Sequence, residues 1–357
     1  MDKLIRIGID TSKSVFQLHG VNASEDAVLK RQLRRSQLGP WFAKLEPTKI
    51  GIEACGGSHH LARQLAALGH EVVLVPPQYA KVYVARGKND AADAEAICEA
   101  MSRPKVQKRF VAVKTAEQQA AQMLVHTREA FIRRRTQLSN AIRGYAAEFG
   151  LVVPKGLAHL EPLLARIEEE EASVPALARE LFRLHNAEYV HVQIQLRRID
   201  AMLMVFHRQS EMSQRLTRIP TLGPIGASLL VAKVTDPKSF KSGRDFAAWI
   251  GLTPKDHSTA GRHRSGGITR AGDERLRGTL VVGAMAVIQQ VMRGNTRLAS
   301  PWLIELLKRK PPKLVAVALA GKTARIAWKL MVSGESYHAG KAARKNVADP
   351  NNLQEAA

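Results

Sequence analysis

Apolar and polar positions alternate along the first part of the chain in runs short enough for strands. Leu4 to Ile9 alternates with charged residues and ends on Asp10. After the polar turn Thr11-Ser12-Lys13, Val15 to Val21 reads as the returning strand of a hairpin, and Ala27 to Leu33 as a third. Lys49 to Ala54 is a further apolar strand, followed by Gly56-Gly57. Leu61, Ala62, Leu65 and Leu68 then recur at helical spacing, Glu71 to Val75 is a strand stopped by Pro76-Pro77, and Asp90 to Met101 reads as a helix. Three strands followed by strand–helix–strand–helix predict an α/β domain with a mixed sheet over residues 1–115.

The period changes after residue 115. Over 116–213 glycine is scarce, and Leu138-Ile142-Tyr145 and Ile194-Leu196-Ile199-Leu203 mark long helices. Gly150 to Gly156, with Pro154, breaks the first of them, and the run Glu168 to Glu171 reads as a solvated helix face. Such helices pack on one another or on a second subunit. A third region, 214–335, is expected to be mostly helical. Its segment 219–234, IPTLGPIGASLLVAKV, resembles a helix-hairpin-helix element, whose turn amides can approach a phosphate. A plain loop before a core helix is the other reading. Trp249, Trp302 and Trp328 sit in apolar helical settings and read as core; residues 336–357 form a polar tail.

Charge changes this picture more than composition does. The 357 residues carry 54 Lys and Arg against 32 Asp and Glu, a formal net charge of +22. Residues 214–350 alone contribute +16 of it, from 24 basic and 8 acidic residues. A field of that sign favours a polyanionic partner over a neutral metabolite. Aromatic residues make up only 5%, so backbone phosphate contact is a better expectation than base stacking. Cys55 and Cys98 are too few for a disulfide framework or a four-cysteine zinc site. The N-terminal MDKLIRIGID lacks the apolar core of a signal peptide, and no stretch approaches the ~20 apolar residues of a membrane span. A cytoplasmic, nucleic-acid-facing protein is expected.

Four carboxylates carry the first candidate chemistry. Asp10 and Glu53 each end an apolar strand, so both can lie on one edge of a sheet. Asp90 and Asp93 are three residues apart in KNDAADAEA and share a helix face. Carboxylates from separate elements repel unless a cation lies between them, and a pair of Mg²⁺ ions, which prefer oxygen ligands and phosphate, answers that need. Acids at strand ends, or Asp90 as a helix cap, also occur without catalysis. Sugar-kinase and actin-like folds share the opening hairpin, but no phosphate-cradling glycine-rich loop follows here.

The segments IGIDTSKSVFQLHG, GIEACGGSHH and PPQYAKVYVARGKNDAADAEAICEA resemble the RuvC-type DEDD domain of bacterial transposases of the insertion sequence 110 family. That resemblance implies an RNase H-like fold with Asp10, Glu53, Asp90 and Asp93 as the four metal-holding acids.

Residues 249–277, WIGLTPKDHSTAGRHRSGGITRAGDERLR, form the second dense region. Small residues and arginines with few bulky side chains predict a flexible basic loop, more often a backbone clamp than a catalytic loop. On the residues alone Ser258, Thr259 and Ser265 are equal candidates for a nucleophile. The same family carries a pattern like HSSGGxxRxGGISKxGDxxLR whose first serine is the nucleophile, and that position is Ser258. GDERLR follows in place, as does SPWLIELLKRKPPKLVAVALAGKTARIAWKL. There are departures from the pattern, among them Thr259 in place of the second serine and Ala260 in place of the first glycine.

The resemblance runs from about residue 4 to 337. It implies excision and insertion of a mobile element through a serine–DNA phosphodiester, with Mg²⁺ supplied beside Ser258. It also implies guidance by a structured non-coding bridge RNA; the long middle helices invite a homo-oligomer, dimer or tetramer. His257 is a candidate general base. Arg133, Arg134, Arg135, Arg262, Arg264, Arg270 and Arg277 are candidate nucleic-acid contacts, and Arg143 could extend the ridge begun by the first three. His59 and His60 begin a helix beside Glu53 and read as cap or surface. The alternatives are a RuvC-like junction nuclease that cuts with water, and a degenerate copy that binds nucleic acid without cutting.

Overall fold

A computed structural model describes residues 3–83, 90–107, 109–169, 173–257, 265–297 and 299–338. Ser258, Thr259, Ala260, Arg262 and Arg264 therefore lie outside the described residues, as does the tail from 339. The chain divides into two compact units. The first holds residues 1–119 and 234–241, and the second holds 120–233 with the described residues from 242 onward.

The first unit is built on β1 (Arg6–Thr11), β2 (Val15–Val21), β3 (Ala27–Arg34), β4 (Lys49–Glu53) and β5 (Glu71–Val75), in the order β3-β2-β1-β4-β5. β1, β2 and β3 pair antiparallel, while β1, β4 and β5 pair parallel. All five expected strands are present; β2 and β5 have the expected bounds, and β1, β3 and β4 differ at their ends by one or two residues. β1 runs on through Asp10, which faces Gln17 across the hairpin. The helices are α1 (Arg35–Phe42), α2 (Ser58–Ala67), α3 (Pro77–Ala80), α4 (Asp90–Ser102) and α5 (Pro104–Gln107). The short α1, α3 and α5 have no clear signal in the apolar pattern.

Strand parity decides what each sheet face does. Ile7, Ile9, Phe16, Leu18, Ile50, Ile52 and Leu74 point to one face and form a core with Leu38, Phe42, Leu61, Ala62 and Leu65 of α1 and α2. The alternate positions point to α4. There β1 and β4 present Gly8 and Gly51, and these glycines let the helix lie almost on the strands. A Cβ at Gly8 would stand 2.2 Å from the Ala94 carbonyl oxygen and 2.5 Å from the Cys98 amide nitrogen. At Gly51 it would stand 2.6 Å from Met101 Sδ. Arg6, on the same face, donates from Nε to the Cys98 carbonyl at 3.1 Å and pairs with Glu25, which fastens helix to sheet.

The second unit contains most of α6 (Ala116–Glu148), then α7 (Leu160–Glu169), α8 (Ala176–Gln209), α9 (Glu211–Leu216), α10 (Pro224–Lys233) and α11 (Gly243–Ile250). An antiparallel ribbon of β6 (Pro254–Asp256) and β7 (Ser265–Ile268) precedes α12 (Glu274–Met292), α13 (Pro301–Arg309) and α14 (Pro312–Ser333). The long helices appear where the apolar period placed them, and α6 ends just before Gly150. Ile142, Leu163, Ile167 and Phe182 join α6, α7 and α8 in one core, and Val125, Leu203 and Leu229 join α6, α8 and α10 in another. The helical middle and the C-terminal segment are thus one packed body, without a compact-unit boundary at residue 213.

Two local expectations are corrected. Trp249 is 39% exposed, stacked on the buried Phe246, while Trp302 and Trp328 are half-buried rather than core. The turn between α9 and α10 buries Thr221, whose carbonyl lies where a Cβ of Gly283 would be 2.0 Å away and whose hydroxyl meets Thr323 at 2.6 Å. That part of the hairpin faces protein; Gly223 and Pro224 are its exposed residues.

Candidate active site

Residues 90, 93, 94, 97, 98 and 101 form one stripe of α4, by the i, i+3, i+4 rule. Where the strands lie beneath it, the stripe is Ala94, Ile97, Cys98 and Met101, all buried. Where the sheet ends, it becomes Asp90 and Asp93. Asp10 stands two residues after Gly8 on the same face of β1, and Glu53 two after Gly51 on β4. The crossing that the glycines permit therefore sets the acids of the helix against the acid of the central strand. Oxygens of Asp10, Asp90 and Asp93 all lie within 4.8 Å of one another. Glu53 is half-buried at the neighbouring strand end and outside that group of three.

The electrostatics are those of crowded like charges. Burial raises the Asp10 carboxyl above the usual range, and the charges of Asp93, Asp90 and Glu53 raise it further. The Thr11 amide opposes this by hydrogen bonding to the carboxylate. Among the described residues no lysine or arginine forms an ion pair with any of the four acids. Asp90 and Asp93 gain from the helix N-terminus, but that dipole does nothing for the repulsion at Asp10. His59 accepts the Lys114 amide at 3.1 Å, and burial lowers its ring below the usual histidine range. It holds the segment after α5 to the start of α2. His60 is exposed.

In the second unit, the ribbon β6–β7 brackets residues 258–264, and His257 is exposed at its end, 3.0 Å from where a Cβ of Gly266 would lie. The base of the ribbon is a close crossing of two backbones. Gly251, at φ +80°, has no room for a Cβ because the Ala271 carbonyl oxygen would be 2.2 Å away. Gly272, at φ +68°, meets the Trp249 carbonyl oxygen at 1.9 Å in the same sense.

Arg277 is buried and donates to the carbonyls of Ile250 at 2.9 Å and Ala271 at 2.8 Å. It is therefore a clamp on this crossing, which corrects its expected role as a nucleic-acid contact. Arg270 is exposed, at φ +56°. Asp273 caps α12 through the Leu276 amide at 2.8 Å and pairs with Lys233 at 2.7 Å. Burial pushes its carboxyl up, but the Lys233 hydrogen bond and the helix amides outweigh that and hold it below the usual range. Lys233 also pairs with Glu129 at 2.8 Å. A single lysine in the apolar run LLVAKV was the signal for this triad around a buried lysine, and composition alone does not single it out.

The arginines of α6 fan out. Arg133 is exposed, Arg134 is ion-paired with Glu188 of α8, and Arg135 is half-buried. Arg143 donates to the Gly156 carbonyl and Asn140, and so holds the loop after α6 rather than extending a ridge.

Two family models match the chain. Residues 7–149 fit the DEDD model of IS110-type sequences, described as Transposase, and residues 213–298 fit "Transposase IS116/IS110/IS902 family". A protein of Sinorhizobium fredii named as a transposase is 63% identical over 94% of this chain and 86% of its own. A protein of Pseudomonas aeruginosa named as a family 20 transposase is 43% identical over 94% and 99%. The transposase for insertion sequence element IS1328 of Yersinia enterocolitica is 39% identical over 94% and 99%. These matches span segments of both units and nearly the whole chain, so the chain belongs to the IS110 family of transposases.

Proposed function

We propose that this transposase cuts and rejoins DNA at the ends of an insertion sequence, with Ser258 as nucleophile and Mg²⁺ held by Asp10, Glu53, Asp90 and Asp93. The observation that carries the reading is the set of three carboxylates within 4.8 Å of one another with no described cation among them. An octahedral Mg²⁺ keeps its oxygens ~2.1 Å away, hence at most ~4.2 Å from each other. Asp10, Asp90 and Asp93 would hold such an ion, and Glu53 would offer a further oxygen. When bound, Mg²⁺ would neutralise the charge that develops on a phosphodiester under attack. The order of the mixed sheet, with acids at the ends of β1 and β4 and on α4, supports an RNase H-like reading of the first unit.

The residues of the second unit divide the remaining work. The Ser258 hydroxyl attacks phosphorus, a serine–DNA phosphodiester forms, and the departing strand leaves with a free hydroxyl. The serine proton goes to a base, for which His257 is placed one residue away in sequence. A hydroxyl from the exchanging strand then displaces the serine and restores the DNA backbone. Arg262, Arg264 and Arg270 neutralise phosphates beside it. The +22 charge and small aromatic share support a protein that grips backbones and leaves base pairing to a structured RNA. Exposed Leu177, Leu181, Leu184 and Met202 on α8 support a homo-oligomer.

The test is adduct trapping on a labelled element-end substrate with the cognate RNA and Mg²⁺. Wild type is expected to form a protein–DNA adduct that Ser258→Ala does not. Free DNA ends in both proteins, without an adduct, would replace the serine reading with a water-driven metal nuclease. No reaction with wild type, while the substrate is bound, would mark a copy that binds without cutting.

A further inference from the structure

The same sheet edge carries a second feature that faces away from the acids. Thr11 follows Asp10 on β1 and so points to the opposite face of the sheet, as strand parity requires. Its hydroxyl meets the Cys55 thiol at 3.1 Å, which joins the ends of β1 and β4. Beside this contact lies a pocket of about 340 Å³, bounded by Thr11, Lys13, Phe16, Arg35, Cys55 and the Gly56-Gly57 turn.

Among the described residues the lining holds two cations and no carboxylate. Lys13 is exposed and forms no ion pair among the described residues. The Arg35 guanidinium is held in place by the carbonyls of Ser12 and Lys13, at 3.2 and 3.1 Å, and lies 4.8 Å from the Phe16 ring centre. It too has no carboxylate partner among the described residues. On the far wall Gly57, at φ +87°, enters α2 with no side chain capping the first turn. A Cβ built on Gly56 or Gly57 would meet nothing within 4 Å, so this wall is open at the backbone. Fixed positive charge, open backbone and a polar floor are the requirements of an oxyanion, and the uncapped turn adds to them.

We propose that this pocket is a phosphate subsite, which holds a DNA backbone phosphodiester next to the one engaged at the carboxylates. The proposal rests on the metal-centre reading for its substrate. Asp10 and Thr11 are adjacent residues, ~3.8 Å apart at Cα, so a strand crossing the end of β1 meets the acids on one side and the pocket on the other. Lys13 and Arg35 are then positioning residues for that strand.

The test is equilibrium binding of full-length protein to a labelled single-stranded DNA across a salt series, in EDTA so that the carboxylates' metal plays no part. Loss of one phosphate contact lowers the salt slope by about 0.7 and weakens binding about fivefold at 0.1 M salt. Lys13→Gln is expected to show that loss. Gly56→Leu, which fills the pocket without changing charge, is expected to show it too. Lys30→Gln, an exposed lysine of β3 on the same sheet, is the control for net charge. Equal losses in Lys13→Gln and Lys30→Gln, or an unchanged slope in Gly56→Leu, would overturn the subsite. The same loss on an RNA strand of equal length but not on DNA would overturn its assignment to the DNA backbone. Failure of the metal reading shows separately, as absence of Mg²⁺-induced stabilisation in the wild type.

Discussion

Replacing Gly8 by alanine tests whether α4 is seated by the two strand glycines. The new methyl would lie 2.2 Å from the Ala94 carbonyl oxygen and 2.5 Å from the Cys98 amide nitrogen. A carbon–oxygen contact needs roughly 3.3 Å, so the helix must rise by roughly 1 Å. Both obstacles are helix backbone, and a rotamer change cannot clear them. Overpacking of this kind costs up to about 3 kcal/mol, equivalent to a fall in melting temperature of roughly 10 °C for a unit of this size. Gly51→Ala meets side chains rather than backbone, chiefly the Met101 thioether at 2.6 Å, with Ile97 Cγ2 at 3.3 Å. The Met101 side chain can turn aside, and the cost should stay near 1 kcal/mol. The helix carries Asp90 and Asp93 with it, so Gly8→Ala should also weaken Mg²⁺-induced stabilisation. Thermal unfolding of the two variants, with and without Mg²⁺, reads all of this. Equal melting temperatures for both variants, or an undiminished Mg²⁺ response in Gly8→Ala, would refute close helix–sheet contact as what assembles the acids.

Two other perturbations have signs that follow from the charges. Asp10 titrates above its ordinary range because of burial and then the neighbouring acids, so the folded state holds its proton more tightly than the unfolded chain does. Its contribution to stability is full below the ordinary carboxylate value of about 3.9 and is lost as pH rises through the raised folded value. Without metal, Asp10→Asn should therefore match wild type in acid and exceed it in denaturant midpoint at neutral pH; Mg²⁺ should raise wild type alone. A neutral-pH midpoint below wild type in EDTA would contradict the repulsion. Lys233, 3% exposed at its side chain, faces Glu129 and Asp273, and Lys233→Met should cost about 3–5 kcal/mol by leaving those acids unpaired. Adding Glu129→Gln and Asp273→Asn should recover part of that loss in urea unfolding, and no recovery would mean the lysine acts through packing.

How much of this was legible in the sequence depends on what each residue's role requires. The strands of the first unit were readable because Ile7, Ile9, Ile50 and Ile52 alternate with residues of a different kind, and that alternation is the physical cause of the two faces. The same parity made Asp10 and Glu53 readable as acids of one sheet edge. The distance from Asp10 to Asp90 and Asp93 was not readable, because it depends on how closely α4 approaches, and only the contacts at Gly8 and Gly51 reveal that. In the second unit the helices were legible from their apolar period. The roles of the arginines were not, since a basic residue looks alike in sequence whether it meets a phosphate or a carbonyl. Arg277 and Arg143 turn inward to carbonyls, whereas Arg133 and Arg270 stay exposed.

One device recurs at both places where the chemistry is expected. In the first unit, glycines at the crossing of β1 and β4 with α4 let backbones approach, and the acids stand two residues beyond. In the second, Gly251 and Gly272 let the segments before β6 and after β7 cross at the base of the ribbon. A close crossing of backbones leaves few ways to move, because any shift puts a carbonyl oxygen against another chain segment rather than a side chain that can rotate. Arg6 bonded to Cys98 and Arg277 bonded to Ile250 and Ala271 then fix each crossing by hydrogen bonds to main-chain carbonyls. Lysine at either position would lose the planar fork that reaches those carbonyls. The arginines of this chain therefore divide in two: part lies exposed, where a polyanion could be met, and part turns inside, where it holds still the elements proposed to carry the reacting groups.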